Sequence, residues 1–169
     1  MREKKEQFLA LYEPVHPSFE RFCKTRAFGH MPFKDLMQDT VLIAYSKLDQ
    51  VKDPDKFLFF LFGIATRVLA NFKKKVKHID LGEVSHSYHF QLPEADKKSE
   101  IDNLYQALSL LPADQRDALV YFEIVGFSVR EIAHHQNKSE EAVRQSLSRG
   151  RKKLLELLKK SAENKISTP

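Results

Sequence analysis

Apolar residues recur at helical spacing along most of the chain, and no segment sustains the apolar–polar alternation of a half-buried strand. In the helix predicted over residues 33–48, for example, Leu36, Thr40, Ile43 and Ala44 share one side. We therefore expect an all-α protein. The other helices predicted in the N-terminal half cover residues 8–27, broken at their prolines, and residues 56–75.

The periodicity is lost between residues 76 and 99, which contain Gly82, Pro93 and a run of charged residues. Helical spacing resumes at Ile101. The pattern predicts two helical domains joined by an irregular linker. The predicted boundaries place the first domain at residues 1–75, the linker at 76–100, the second domain at 101–160 and a frayed tail at 161–169.

Two helix-start signals lie close together in the second domain. Ser128 and Glu131 have the spacing of a capping box, in which each side chain binds the backbone amide of the other residue. Ser139 is the second signal, because its hydroxyl can accept a hydrogen bond from the first turn of a helix. Gly126 is expected to end the preceding helix, and Asn137 tolerates the left-handed conformation of a tight turn. This layout predicts a helix-turn-helix, the motif that places its second helix in the DNA major groove.

The second helix of this motif has an apolar side and a cationic side. Val143, Leu147 and Leu154 recur at helical spacing and are predicted to face inward. Basic, amide and hydroxyl side chains on the other side suit contacts with DNA phosphates and base edges. The candidate contacts are Lys138, Arg144, Gln145, Ser148, Arg149, Arg151 and Lys152. The alternative is a solvated surface helix whose basic residues pair with nearby acids such as Glu156.

The net charge of +5 is modest, but its distribution along the chain is uneven. No Asp or Glu occurs between Lys56 and Asp80, and a second basic block covers residues 144–160. Two separate basic regions indicate two contacts with a polyanion such as DNA.

The cysteine content and the longest apolar run bear on the cellular compartment. Cys23 is the one cysteine, so no disulfide can form within the chain, which fits a reducing compartment. Cys23 lies in an apolar-periodic segment and is predicted to be a small core residue. The longest apolar run, residues 57–65, is too short to span a bilayer, and no secretory signal is visible at the start. We expect a cytoplasmic protein that does not insert into membranes.

Several segments resemble named regions of bacterial sigma factors. Residues 111–119 (LPADQRDAL), 126–133 (GFSVREIA) and 139–154 resemble region 4. Residues 35–42 (DLMQDTVL) resemble region 2.2, and residues 57–65 (FLFFLFGIA) resemble regions 2.3 and 2.4. The order of these segments and the chain length are similar to those of the extracytoplasmic-function (ECF) subgroup of the sigma-70 family, which keeps only regions 2 and 4.

The resemblance implies a protein that is not an enzyme but binds core RNA polymerase and directs promoter recognition and transcription initiation. Region 4 would dock in the major groove of the minus-thirty-five element, called the upstream element below, and region 2 would bind unpaired bases of the minus-ten element. The implied partners are core RNA polymerase, promoter DNA and an anti-sigma factor, with no cofactor, metal or catalytic residue. The implied polymerase-binding residues are Asp35, Gln38 and Asp39. The implied minus-ten contacts are Lys52, Lys56, Arg67, Asn71, Lys73 and Lys74.

The chain departs from the pattern of this family in three places. Phe60 stands where tryptophan is common, and phenylalanine can fill the same core position. Arg67 stands where asparagine helps to select a minus-ten base, so we expect a non-standard minus-ten sequence. Asn137 and Lys138 replace a glycine and an apolar residue of the recognition turn, and Lys138 could reach a phosphate.

Other functions are also compatible with parts of the sequence. A DNA-binding transcription regulator without sigma activity would share the helix-turn-helix but would not need core polymerase. A helical adaptor that binds only protein would not need two basic regions. Glu-x-x-His, a spacing used in di-iron sites, begins at Glu13, Glu83 and Glu131. Prolines near the first copy, the linker position of the second and the short helix of the third argue against an enzyme.

Overall fold

The computed structural model describes residues 2–80 and 100–166, and within these ranges the chain is helical and contains no strand. The predicted all-α fold is therefore confirmed. The chain divides into two compact units, Met1–Glu94 and Ala95–Pro169. The predicted linker falls largely on residues 81–99, which lie outside the described residues. The α-helices are α1 (Arg2–Tyr12), α2 (His16–Ala27), α3 (Phe33–Ser46), α4 (Phe57–Asp80), α5 (Glu100–Ser109), α6 (Ala113–Leu119), α7 (Val129–Gln136) and α8 (Glu140–Ile166).

The predicted break near Pro14 and Pro17 is confirmed. A 3-10 turn over Glu13–Val15 separates α1 from α2, because neither proline has an amide hydrogen with which to continue the α-helical bonding. The rest of the segment is helical on both sides of this turn, and α2 ends at Ala27 as the spacing predicted.

Large aromatic rings form the core of the first unit, where α2, α3 and α4 pack together. Phe19, Phe22, Phe57 and Phe62 are fully buried, and the rings of Phe22 and Phe62 stack with their centroids 4.0 Å apart. Burying one such side chain stabilises the fold by about 1.5–3 kcal/mol. These rings fix the position of α4 against its neighbours, and the opposite side of α4 is left to solvent.

Of the predicted inward side of α3, Leu36, Thr40 and Ala44 are fully buried, whereas Ile43 is half-buried. The Thr40 hydroxyl oxygen is buried and has no hydrogen-bond partner within the described residues. Cys23 is buried as predicted, and desolvation raises the pKa of its thiol. A buried thiol held in the neutral form is a packing residue rather than a reactive one.

Helix α4 is longer than its hydrophobic pattern predicted. The prediction ended near Lys75, whereas the helix continues to Asp80. The added turn contains no proline or glycine, and Val76 still lies half-buried on the inward side. The basic residues after Arg67 therefore lie on a regular helix rather than at the start of a loop.

The second unit begins with α5 and α6, and α6 runs into a π-helical turn over Val120–Val125. Both Gly126 and Phe127 donate backbone hydrogen bonds to the Tyr121 carbonyl, at 3.0 and 2.9 Å. Gly126 has a φ of +92°, so the predicted left-handed stop of the preceding helix is confirmed. The chain can then turn into α7.

Helix α6 approaches α8 closely at Gly150. A β-carbon at this position would lie 3.1 Å from the Leu119 Cδ1 atom and 3.2 Å from the Gln115 carbonyl oxygen. The missing side chain of Gly150 therefore permits the close crossing that holds α8 in place. No helix in the described part of the chain has the length and apolar character needed to cross a lipid bilayer.

Candidate nucleic-acid interface

Helix α7 begins with the predicted capping box. The Glu131 amide donates to the Ser128 hydroxyl oxygen at 3.2 Å, and the Ser128 amide donates to a Glu131 carboxylate oxygen at 2.8 Å. Hydrogen bonds from Ser128 hold the pKa of Glu131 below its usual value. Ile132 and Ala133 are buried, so the capped helix is anchored in the core of the second unit.

A tight turn connects α7 to α8. Asn137 adopts the left-handed conformation, with φ 53° and ψ 48°, as predicted. The Lys138 amide donates to the Ala133 carbonyl at 2.9 Å, and the Ser139 hydroxyl accepts from the Ala142 amide at 3.1 Å. The helix-turn-helix predicted from the two start signals is therefore present, and α8 is its second helix.

One side of α8 is buried and the other carries the predicted DNA contacts. Val143 and Leu147 are buried in the core of the second unit, while Leu154 is half-buried. The predicted contacts on the exposed side of α8 are Arg144, Gln145, Ser148, Arg149, Arg151 and Lys152. Lys138, in the turn, is half-buried. The structure thus brings the predicted set together along one helix surface and the turn that precedes it.

Three of the predicted cations pair with carboxylates. The Lys138 ammonium lies 2.7 Å from Asp114, and the Arg144 guanidinium lies 2.7 Å from Glu140. Arg151 donates twice to one oxygen of Glu123, at 2.9 and 2.7 Å. Exposed pairs of this kind contribute about 0–1 kcal/mol each, so a phosphate can compete for the cation. Sequence spacing could indicate the pair within α8, but not the two pairs between distant segments.

The exposed side of α4 forms a second basic surface. Arg67, Asn71 and Lys74 recur at helical spacing on the side opposite the aromatic core, and all three are exposed. Lys73 is exposed on the flank of this side. From its first residue, Phe57, to Lys74 the helix rises about 26 Å, so the predicted minus-ten contacts on and before α4 lie along an extended surface.

Lys52 and Lys56 lie before the first residue of α4, and both are exposed. The Lys56 ammonium lies 3.3 Å from Asp53, whose carboxylate also accepts a hydrogen bond from the Asp55 amide at 3.1 Å. Asp53 thereby caps the short turn that leads into α4 and holds Lys56 beside it. Phe60, predicted to fill a core position, is half-buried, and its ring centroid lies 6.2 Å from that of Phe57.

The predicted polymerase-binding residues lie on the exposed side of α3. Asp35, Gln38 and Asp39 are all exposed, at positions that share one helix side. Leu42 continues this side by one turn and is 61% exposed. The sequence prediction omitted Leu42, although its spacing from Asp35 and Asp39 places it outside the inward stripe of α3. Leu42 therefore adds apolar area to the side of α3 that carries Asp35, Gln38 and Asp39.

No group of three or more His, Cys, Asp or Glu side chains within the described residues is arranged to hold a metal ion. Of the three Glu-x-x-His copies, the one at Glu83 lies outside the described residues. Glu131 is engaged in the capping box, and His16 contacts the Tyr12 hydroxyl oxygen at 3.0 Å.

These features define a helical protein with a helix-turn-helix of the DNA-binding kind. Residues 101–154 match the family model for region 4 of sigma-70. The ECF RNA polymerase sigma factor EcfG of Rhodopseudomonas palustris (strain TIE-1) is 26% identical over 144 residues, which cover 84% of this chain and 80% of that protein. Over most of its length the chain is thus similar to sigma factors of the ECF subgroup.

Two solved structures have similar folds. The sigma factor RpoE, in complex with the anti-sigma factor NepR from Bartonella quintana, aligns with a TM-score of 0.65 and 24% identity. The alignment covers 94% of this chain and 98% of that one. CnrH, in complex with the cytosolic domain of CnrY, aligns with a TM-score of 0.64 and 25% identity over 92% of this chain and 89% of CnrH.

Proposed function

We propose that this protein is a sigma factor that binds core RNA polymerase and directs promoter recognition and transcription initiation. The observation that carries the proposal is the exposed side of α8, where cationic, amide and hydroxyl side chains follow a capped α7 and a left-handed turn. That arrangement suits insertion of α8 into the major groove. The family relationship favours this function over that of a regulator which acts without core polymerase.

In this proposal the second unit binds the upstream element. Arg144, Gln145 and Arg149 have the side-chain types that form paired hydrogen bonds with base edges. Ser148, Arg151, Lys152 and Lys138 are assigned to positioning contacts, which go mainly to phosphates. The domain assigned to this role covers residues 101–160.

The first unit, assigned to residues 1–75, binds the minus-ten element and core polymerase. The exposed side of α4 supports the first role, because sparse cations can follow the phosphates of a separated strand. Arg67 lies in the middle of this surface, and its long charged side chain is expected to change the base preference there. Lys52 and Lys56 contact the nontemplate strand at the start of α4.

The exposed side of α3 is the proposed polymerase contact. Asp35, Gln38 and Asp39 provide polar contacts, and Leu42 adds apolar area that would be buried on binding. The complexes of RpoE with NepR and of CnrH with CnrY support an anti-sigma factor as a further partner of this chain. The proposed mechanism uses binding alone and assigns no catalytic residue or cofactor.

Reconstituted transcription tests the proposal. Bacterial core polymerase would transcribe a pooled library of genomic promoters with and without this protein, and the start sites would be mapped. New start sites that need both components support sigma activity, and their aligned upstream sequences reveal any shift in the minus-ten preference. Sequence-specific DNA binding without core, together with no new start sites, would instead support the regulator.

Variants of each surface separate the proposed roles. Leu42→Ala is expected to weaken association with core polymerase, while Leu9→Ala, at another exposed leucine, is the matched control and should not. Arg149→Ala is expected to leave core association intact and to weaken upstream-element binding by about 1–3 kcal/mol if Arg149 contacts guanine. Failure of Leu42→Ala and Arg149→Ala at the same step would contradict this division of roles.

A further inference from the structure

The cations of α8 fall into two groups with different surroundings. On one flank, Arg144 pairs with Glu140 and Arg151 with Glu123. The Arg151 guanidinium also lies over the Phe122 ring, 5.4 Å from its centre. Two hydrogen bonds and a ring contact hold Arg151 in one orientation, which ties α8 to the segment that follows α6.

The other flank borders a notch between the start of α6 and the middle of α8. The notch has a volume of about 310 Å³ and is lined by Pro112, Gln115, Arg149, Lys152, Lys153 and Glu156. Within the described residues, Arg149 and Lys152 form no ion pair with a carboxylate. Lys153 has only a 4.0 Å contact with Glu156.

The charge in this notch is unbalanced. Three cations and the amide of Gln115 face a single carboxylate, whereas each arginine on the opposite flank has its own acidic partner. An anion that enters the notch gains the attraction of Lys152 without having to displace an existing ion pair. The charge of Arg149, whose side chain is assigned to a base edge, adds to this attraction without a direct contact. DNA phosphates are bound in proteins by this combination of arginine, lysine and glutamine side chains.

We propose that this α6–α8 notch binds one phosphate of the DNA backbone beside the upstream element. The inference rests on the proposed function and adds Gln115 and Lys153 to the DNA-contacting residues. In this proposal the notch fixes the register of α8 on the duplex. The pair of Arg151 with Glu123 ties α8 to the segment that follows α6. Phosphate contacts of this kind position a protein without reading sequence.

The test uses holoenzyme, formed from core polymerase and the full chain, on a promoter duplex that carries the upstream element. Methylphosphonate groups, which are uncharged, would replace single phosphates one at a time along that element. For the wild-type chain, we expect a methylphosphonate at one position to weaken binding more than methylphosphonates at the adjacent positions. With Lys153→Gln, that same substitution should have little further effect, because the contact has already been lost.

The salt dependence provides a second readout. Lys153→Gln is expected to reduce the slope of log K against log salt concentration by about 1. The matched control is Lys159→Gln, an exposed lysine about two turns further along α8 that does not line the notch. It should leave both the slope and the methylphosphonate pattern unchanged. Circular dichroism of the two variants would verify that both are folded.

The notch proposal would be wrong if Lys153→Gln and each methylphosphonate weakened binding additively at every position and the salt slope did not change. Sigma activity would not be affected by that result. If wild-type holoenzyme showed no selectivity for any promoter, the proposed function would fail and the notch with it. The wild-type measurement therefore separates the two failures.

Discussion

The two helical units of this protein fill their cores in different ways. In the first unit the fully buried side chains include four phenylalanines, Phe19, Phe22, Phe57 and Phe62. In the described part of the second unit no phenylalanine is buried, and the core consists largely of leucine, isoleucine, valine and alanine around the α6–α8 contact at Gly150. We therefore expect the stability of the first unit to fall most when a buried ring is removed. The stability of the second unit should fall most when a side chain is added at the α6–α8 contact.

The basic surfaces of the two units also differ. Helix α4 contains no acidic residue before Asp80, whereas α8 begins with two glutamates and has arginines that pair with Glu140 and Glu123. Acidic partners pair with Arg144 and Arg151 on α8, whereas Arg149 forms no ion pair within the described residues. The sparse cations of α4 suit a less rigid contact with a separated strand.

Removal of a buried ring from the first unit should have the largest effect. Phe62→Ala is expected to lower the free energy of unfolding by about 3–5 kcal/mol, because it removes the ring stacked on Phe22 and leaves a cavity. Urea unfolding followed by circular dichroism would measure the loss, and hydrogen exchange should rise mainly in α2 and α4. Phe60→Ala, at a half-buried ring, is the control and should cost clearly less. Equal losses would contradict the core described for this unit.

Added volume at the α6–α8 contact should have the next largest effect. Gly150→Leu is expected to destabilise the second unit by about 1–3 kcal/mol, because the side chain would be forced against Leu119 and the Gln115 backbone. Gly63 in α4 is the matched control, since a β-carbon there meets no atom within 4 Å. Gly63→Leu should stabilise its helix by up to about 1 kcal/mol through helix propensity. Equal destabilisation by both substitutions in urea titrations would disprove the proposed contrast.

A smaller effect is expected at the start of the helix-turn-helix. Ser128→Ala removes the hydroxyl that accepts from the Glu131 amide and should cost about 1 kcal/mol. Thermal unfolding would measure the change, and hydrogen exchange in α7 would locate it. Ser148→Ala, at an exposed position within α8, should change stability by less than about 0.5 kcal/mol. If hydrogen exchange in α7 were the same in both variants, the capping box would not be what holds this helix.

The smallest effect concerns pH. The His135 ring packs edge-on against Tyr121 inside the second unit. This burial, together with the nearby His134, lowers the pKa of His135. The folded state therefore favours the neutral imidazole. The stability that the neutral His135 contributes is fully present above the pKa of the unfolded chain, near 6.5. It is lost as the pH falls towards the lower pKa of His135 in the folded protein. His135→Gln should flatten the fall in stability between neutral and mildly acidic pH, whereas an unchanged pH profile would assign that fall to other groups.

Local signals in the sequence predicted much of the site. The capping box, the left-handed Asn137, the Gly126 stop and the exposed side of α8 depend on neighbouring residues, so spacing was sufficient to find them. Contacts between distant segments could not be found in this way. Examples are the pairing of Arg151 with Glu123, the pairing of Lys138 with Asp114, and the notch between α6 and α8, because each depends on how helices cross in space.

The differences in helix length and burial have related causes. Helix α1 begins at Arg2 rather than near Phe8, and α8 continues to Ile166 through the predicted tail, because polar and charged residues can extend a helix beyond its apolar pattern. Helix α4 continues past Lys75 because charged residues end an apolar pattern without ending a helix. Phe60 is half-buried because a helix with many aromatic residues cannot turn all of them inward, and the periodicity alone did not separate Phe60 from Phe57 and Phe62. Leu42 was omitted from the prediction, although its spacing from Asp35 and Asp39 already placed it outside the inward stripe of α3.

Promoter melting tests the central claim, sigma activity, most directly. A promoter selected by the protein would carry a fluorescent base analogue in its minus-ten element, and fluorescence would be followed with core polymerase alone, with the protein alone and with both. We expect the signal of an unpaired base to appear only with both components and to be weaker with the Leu42→Ala variant. Binding of the duplex by the protein alone, with no melting when core is added, would contradict sigma activity.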